Sequence, residues 1–205
     1  LVSRNSLADA YKSAGRLEQP IRLLEQNLTD HERILGPDHP RTLISRNNLA
    51  ESYREAGRLD EAITLHERNL ADRLRILGPD HPSIFGSRSN LAGAYYAAGR
   101  LDEAIDLFEQ SLSDRLRVLG PDHPDTLTAR NNLADAYRSA GRLDEAIDLY
   151  EQSLNDRARV LGPDHPDVLG ARNNLASAYK SAGRLDEAID LYEQNLKDCR
   201  RILSP

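Results

Sequence analysis

One phrase returns along this chain at steps of 42 residues. Leu17, Leu59, Leu101, Leu143 and Leu185 each open it, as Leu-Asp-Glu-Ala-Ile in four copies and Leu-Glu-Gln-Pro-Ile in the first. Leu-Gly-Pro-Asp-His-Pro starts at Leu35, Leu77, Leu119 and Leu161, and Ala-Gly-Arg ends at Arg16, Arg58, Arg100, Arg142 and Arg184. A repeat of this length is one supersecondary unit that cannot bury its apolar face alone, so it stacks on its neighbours. The expectation is a single array over residues 1–205, with units near 1–39, 40–81, 82–123, 124–165 and 166–205, and no central core. Such arrays build extended binding surfaces more readily than reaction centres.

The fourth unit shows what each copy folds into. From Leu127 to Ala140, the residues Ala129, Leu133, Ala136, Tyr137 and Ala140 recur at steps of three and four, the signature of one helical face. Pro124 suits a first turn, and Asp122, His123 or Asp125 is positioned to cap it. Gly141 supplies the left-handed residue that stops this helix A. Helix B opens at Leu143-Asp144-Glu145, with carboxylates at the positive end of the helix dipole. Its apolar stripe runs through Ala146, Ile147, Tyr150 and Leu154 towards Val160 and Leu161, and Gly162-Pro163 breaks it. Pro20 stands in the first turn of the first helix B, where proline is tolerated. Five units of this kind predict about ten helices.

These residues resemble tetratricopeptide repeats. The family's small and aromatic positions are matched at Leu133, Ala134, Tyr137, Ala146 and Tyr150, and again at Leu49, Ala50, Tyr53, Ala62 and His66. The family's early tryptophan is arginine here, at Arg46, Arg88, Arg130 and Arg172. The long unit with Asn-Asn-Leu-Ala is similar to the repeats of kinesin light chains and of bacterial arrays joined to nucleotide-binding signalling domains. The resemblance implies an all-α, right-handed solenoid of about five helix-turn-helix repeats. It also implies a concave face of A helices that binds proteins or extended peptides, without catalysis and without a cofactor.

On helix A, the side opposite Leu133 and Tyr137 carries rows of polar residues. One row is Asn5, Asn47, Ser89, Asn131 and Asn173, and the next is Ser6, Asn48, Asn90, Asn132 and Asn174. An amide donates and accepts, so such rows suit the backbone of an extended peptide. They are equally suited to bonding the neighbouring helix. A third row, Lys12, Arg54, Tyr96, Arg138 and Lys180, faces Asp9, Glu51, Gly93, Asp135 and Ser177, and these charges are spaced to pair along their own helix. In the third unit Phe85, Gly86, Gly93 and Tyr96 stand where neighbours carry Leu, Ile or Thr, carboxylates and cations, and two glycines beside a tyrosine make room for an apolar side chain.

Other chemistries are set aside on composition. A net charge of −6 argues against nucleic acid, which needs a dense basic stripe. No apolar run is long enough to span a membrane. The single cysteine, Cys199, allows no internal disulfide and fits a reducing, cytoplasmic setting. His39, His81, His123 and His165 lie one per unit, too far apart to share a metal, and read as loop or cap residues. The chain begins inside a unit, lacks methionine and ends inside the loop phrase, which reads as a piece of a longer array. Two further roles follow from that reading: a sensor arm of a larger signalling ATPase, and head-to-tail self-association through uncovered end helices.

Overall fold

The computed structural model describes the backbone of residues 2–13 and 18–203, and the side chains of all of these but 2–5, 9 and 12. Among the described residues there are ten α-helices and no strand. They are α1 (Val2–Ser13), α2 (Glu18–Leu35), α3 (Pro40–Glu55), α4 (Leu59–Leu77), α5 (Pro82–Ala97), α6 (Leu101–Val118), α7 (Pro124–Ser139), α8 (Leu143–Leu161), α9 (Pro166–Ser181) and α10 (Leu185–Leu203). Odd-numbered helices are the A helices and even-numbered ones the B helices. The all-α solenoid of helix-turn-helix repeats expected from the sequence is what the chain adopts.

Each loop phrase makes a cap. Of the three candidates before α7, His123 takes the N-cap position, with extended backbone at φ −68° and ψ 136°. Its Nδ1 accepts the backbone N–H of Asp125 at 3.1 Å. His39, His81 and His165 do the same for Arg41, Ser83 and Asp167. The ring nitrogen takes the part usually played by a serine or aspartate oxygen, and proline follows at the first helical position. Replacing His123 with alanine should lower the unfolding free energy by about 1 kcal/mol, seen as a lower denaturant midpoint at constant slope.

The far end of helix A closes equally regularly. Arg142 donates its backbone N–H to the Tyr137 carbonyl at 2.9 Å, and Gly141 donates to Arg138 at 3.1 Å. This paired arrangement needs a left-handed residue, and Gly141 sits at φ 76°. The same pair of bonds recurs after α3, α5 and α9.

The helices group into two compact units, Leu1–Leu107 and Phe108–Pro205. In the first, α1 packs on α2, α2 on α3, α3 on α4 and α4 on α5, and Ala8, Ile21, Leu24, Leu28, Leu49, Tyr53 and Ala62 form one apolar cluster. Pro20 is buried in the first turn of α2. In the second, each of α7 to α10 packs on the next, with Leu133, Tyr137, Ile147 and Tyr150 buried. The stripe of α8 ends earlier than its sequence suggests. Val160 and Leu161 are exposed, and this end of the helix is held by Arg159, which pairs with Asp122 in the loop before α7 at 2.5 Å.

Two kinds of latch join neighbouring helices. The Tyr53 hydroxyl donates to Glu25 on the preceding helix B at 2.7 Å, and Tyr95, Tyr137 and Tyr179 donate to Glu67, Glu109 and Glu151 at 2.5 Å. Arg58, Arg100, Arg142 and Arg184 each lie over the preceding tyrosine ring, 4.2–4.4 Å from its centre, and also pair with the third-residue glutamate of helix B. The second latch fills the family's tryptophan slot. Arg46 is fully buried between Asp72 at 2.6 Å and Glu32 at 3.2 Å. Arg130 meets Asp156 at 2.6 Å and Arg172 meets Asp198 at 2.8 Å.

Candidate functional site

The exposed side of helix A is the one helical geometry predicts. In the first compact unit it carries Ile44, Asn47, Asn48, Glu51 and Arg54 on α3, and Gly86, Ser89, Asn90, Gly93 and Tyr96 on α5. In the second it carries Thr128, Asn131, Asn132, Asp135 and Arg138 on α7, and Gly170, Asn173, Asn174, Ser177 and Lys180 on α9. All are exposed or half-buried, while the leucine, alanine and tyrosine of the opposite side are buried. The side chains of Asn5, Asp9 and Lys12 lie outside the described residues.

The two asparagine rows meet each other. Asn90 Nδ2 donates to Asn47 Oδ1 at 2.9 Å, and Asn174 Nδ2 donates to Asn131 Oδ1 at 3.2 Å. Each bond links one A helix to the next A helix of the same compact unit. Asn131 also donates to Asp135 at 3.2 Å. The rows therefore hold neighbouring repeats in register. Each inter-helix bond uses one hydrogen of one amide and one lone pair of the other, a fraction of what a side-chain amide offers. Asn173 is exposed, and Asn48 and Asn132 are half-buried on the same stripe.

The third row divides into two kinds of position. Arg54 is held by Glu51 at 2.7 Å, and Glu51 also stands 3.1 Å from Nε2 of the buried His66 on helix B. Burial alone would raise the Glu51 carboxyl, but hydrogen bonds from His66 and Arg54 outweigh it and hold the group below its ordinary value. Arg138 pairs with Asp135 at 3.5 Å, and Asp135 accepts the Tyr150 hydroxyl at 2.5 Å. Burial, reinforced by that carboxylate, pushes the Tyr150 phenol up. Arg54 and Arg138 are thus engaged within their own repeats. Tyr96 and Lys180 are exposed.

A sequence signal for this arrangement exists and is easy to overlook. Where helix A offers Glu51 or Asp135, helix B offers a polar ring, His66 or Tyr150. Where helix A has Gly93, the corresponding ring is Phe108, which carries no polar atom. In the third repeat Phe85 is buried in the core and does not reach the exposed stripe. Gly86 and Gly93 have open space where a Cβ would stand. Among the described residues, no three His, Cys, Asp or Glu side chains gather as metal ligands, and no helix is long and apolar enough to cross a membrane.

The tetratricopeptide repeat family model matches residues 1–71, 45–113, 83–157 and 140–200. No curated protein matches the chain. Among solved structures, one similar to it holds nearly identical TPR-like repeats from Podosopora anserina, described as a kinesin light chain. It is 34% identical, covers 100% of this chain and 97% of its own, and has a TM-score of 0.91. BtubC (BKLC) from P. vanneervenii has the same fold at 20% identity and a TM-score of 0.84, covering 98% of this chain and 80% of its own. MamA from Desulfovibrio magneticus RS-1 is more distant in shape, at 14% identity and a TM-score of 0.68, covering 98% of this chain and 96% of its own. With family matches that overlap from residue 1 to residue 200, the chain belongs to the tetratricopeptide repeat family.

Proposed function

We propose that the chain is a non-catalytic scaffold that binds a protein through an extended peptide segment laid along the exposed stripes of its A helices. The observation that carries this reading is the amide stripe itself. Asn47, Asn90, Asn131 and Asn174 are pinned by one another, so their remaining donors and acceptors stand at fixed spacing with little freedom left to lose on binding. Asn48, Asn132 and Asn173 extend the stripe. Backbone recognition by such groups gives affinity with little dependence on peptide side chains. Selectivity then falls to the exposed positions that differ between repeats, such as Tyr96 and Lys180, while the charges of Arg54 and Arg138 are offset by Glu51 and Asp135. The four loop histidines support a binding role over a catalytic one, because each spends its Nδ1 on a helix cap.

The test uses a displayed library of unstructured peptides selected on the intact chain. Binding of selected peptides should fall about fivefold when Asn132 or Asn173 is replaced by alanine, the loss of one hydrogen bond of about 1 kcal/mol. It should fall further when both are replaced together with Lys180. Unchanged binding in a folded triple variant would refute the stripe as the site.

A further inference from the structure

We propose that the repeats of this chain recognise their neighbours through two kinds of junction that do not interchange, and that the direction taken by one cationic side chain on helix B marks the kind. Arg73 on α4 and Arg157 on α8 stand at the same repeat position, both half-buried, and α4 packs on α5 as α8 packs on α9. The two side chains run opposite ways. Arg73 reaches forward, donating to the Ser87 hydroxyl at 3.0 Å and to the Ser83 carbonyl at 3.3 Å, both on α5. Arg157 turns back, donating to the Ser153 hydroxyl on its own helix and to the Leu127 carbonyl of the preceding α7 at 3.2 Å.

Two buried neighbours decide between these directions. One lies four residues before the arginine. Ser153 is small and accepts a bond, so the guanidinium fits back against its own helix. Asn69 fills the same place with a larger amide, and that amide takes no bond from Arg73. The other neighbour lies on the next helix A. Ser87 offers a hydroxyl where Ala171 offers only a methyl group, so α5 can receive the charge and α9 cannot. A half-buried guanidinium turned towards the wrong neighbour loses its acceptors, which is costly away from water. The choices travel together along the chain. Asn27 and Ser45 accompany His31, which reaches forward to place Nδ1 2.7 Å from the Ser45 hydroxyl. Ser111 and Ala129 accompany Arg115, which bonds back to Ser111. Charge follows the same division. Burial pushes the Arg115 and Arg157 guanidinium groups down, and Asp125 and Asp167 at the start of the following helix A oppose it. Burial pushes Arg73 down as well, but Ser83 holds the corresponding place.

A helix A of one kind is therefore the wrong neighbour for a helix B of the other. The junction residues select which repeat can follow which. They thereby set the order in which Arg54 and Tyr96, or Arg138 and Lys180, succeed each other on the exposed stripe.

The experiment converts the α8–α9 junction of the whole chain to the other kind, in halves and then completely. One variant carries Ser153→Asn, a second carries Asp167→Ser with Ala171→Ser, and a third carries all three substitutions. Urea midpoints report stability, and amide hydrogen exchange along α8 and α9 reports opening of the junction. Ser153→Asn alone should lower the midpoint and speed exchange, because the displaced arginine meets Ala171. The threefold variant should recover, with a folded-to-unfolded ratio about fivefold above the product of the two separate losses. Its crystal structure should show Arg157 bonded forward to the new hydroxyl at position 171. Losses that combine without recovery would overturn the proposal, and so would an Arg157 still turned back to Leu127. If Ser153→Asn alone leaves the chain unfolded, the threefold variant should fold again, and its failure to do so would equally overturn it.

Discussion

Arg46→Ala should be the most damaging single substitution on a surface-type residue in this chain, costing about 3 kcal/mol of unfolding free energy. The guanidinium has no exposed surface and sits between Asp72 and Glu32. Removing it takes the nearer cation from the Asp72 carboxylate, 21% exposed, which keeps only its 3.2 Å pair with Arg75, and leaves a space where a long side chain packed. The pair with Asp72 need not itself be strongly stabilising, because bringing both charges out of water offsets much of their attraction. The double variant Arg46→Met with Asp72→Leu should accordingly recover most of the loss. Urea unfolding of the two single variants and the double variant gives the coupling. If Arg46→Ala costs less than ~1 kcal/mol, on the scale of an exposed ion pair, the buried-latch account fails.

The tyrosine latches should make the fold sensitive to alkali. Burial first, and the glutamate hydrogen bond second, raise Tyr53, Tyr95, Tyr137 and Tyr179 from 10.0 to about 12. Below the ordinary phenol value both the folded and unfolded chains hold these protons, and the latch contributes fully. Between there and about pH 12 the unfolded chain gives up protons that the folded chain keeps, so stability falls as pH rises. The loss is of the order of 1–2 kcal/mol per tyrosine over that window. Urea midpoints should drop steeply above about pH 10, with tyrosine absorbance titrating late and together with unfolding. Tyr137→Phe should shallow that drop. An alkaline slope unchanged in Tyr137→Phe would show that the latch does not titrate as the geometry implies.

The parts of this fold that were legible in the sequence are those set by local chemistry. Gly141 had to be left-handed because a helix ended there and another began two residues later, and it is. The buried stripe through Leu133 and Tyr137 followed from spacing, and so did the polar stripe opposite it. What could not be read were choices made by neighbours. His123, Asp122 and Asp125 are all competent caps, and only the extended backbone at His123 decides among them. Arg46 reads as a surface cation in any single unit, and its burial depends on Asp72 arriving from the next helix. The repeat held that clue, since Asp72, Asp156 and Asp198 recur with the same period as Arg46, Arg130 and Arg172. The asparagine rows were visible as rows, but an amide shows no sign of whether it faces a ligand or the next helix, and here it meets the next helix first. Arg54 and Arg138 were legible as charges spaced to pair with Glu51 and Asp135, and they do. The rings of His66 and Tyr150 beneath them were not foreseen.

The offsets of the latches carry a consequence for how such a chain can change. Tyr53, Tyr95, Tyr137 and Tyr179 each reach a glutamate 28 residues earlier, and each of Arg75, Arg159 and Arg201 reaches an aspartate 37 residues earlier. Both offsets are shorter than the repeat, so each bond closes within one period. Deleting or duplicating any stretch of one full period, wherever the cut falls, restores every such pair with an equivalent partner. Misaligned recombination between copies of the coding sequence would therefore produce shorter and longer chains whose tyrosine and arginine pairs of this kind are intact, each differing by one rung of exposed helix A. Surface length becomes a heritable quantity that changes in whole steps, separately from the residues that hold the steps together.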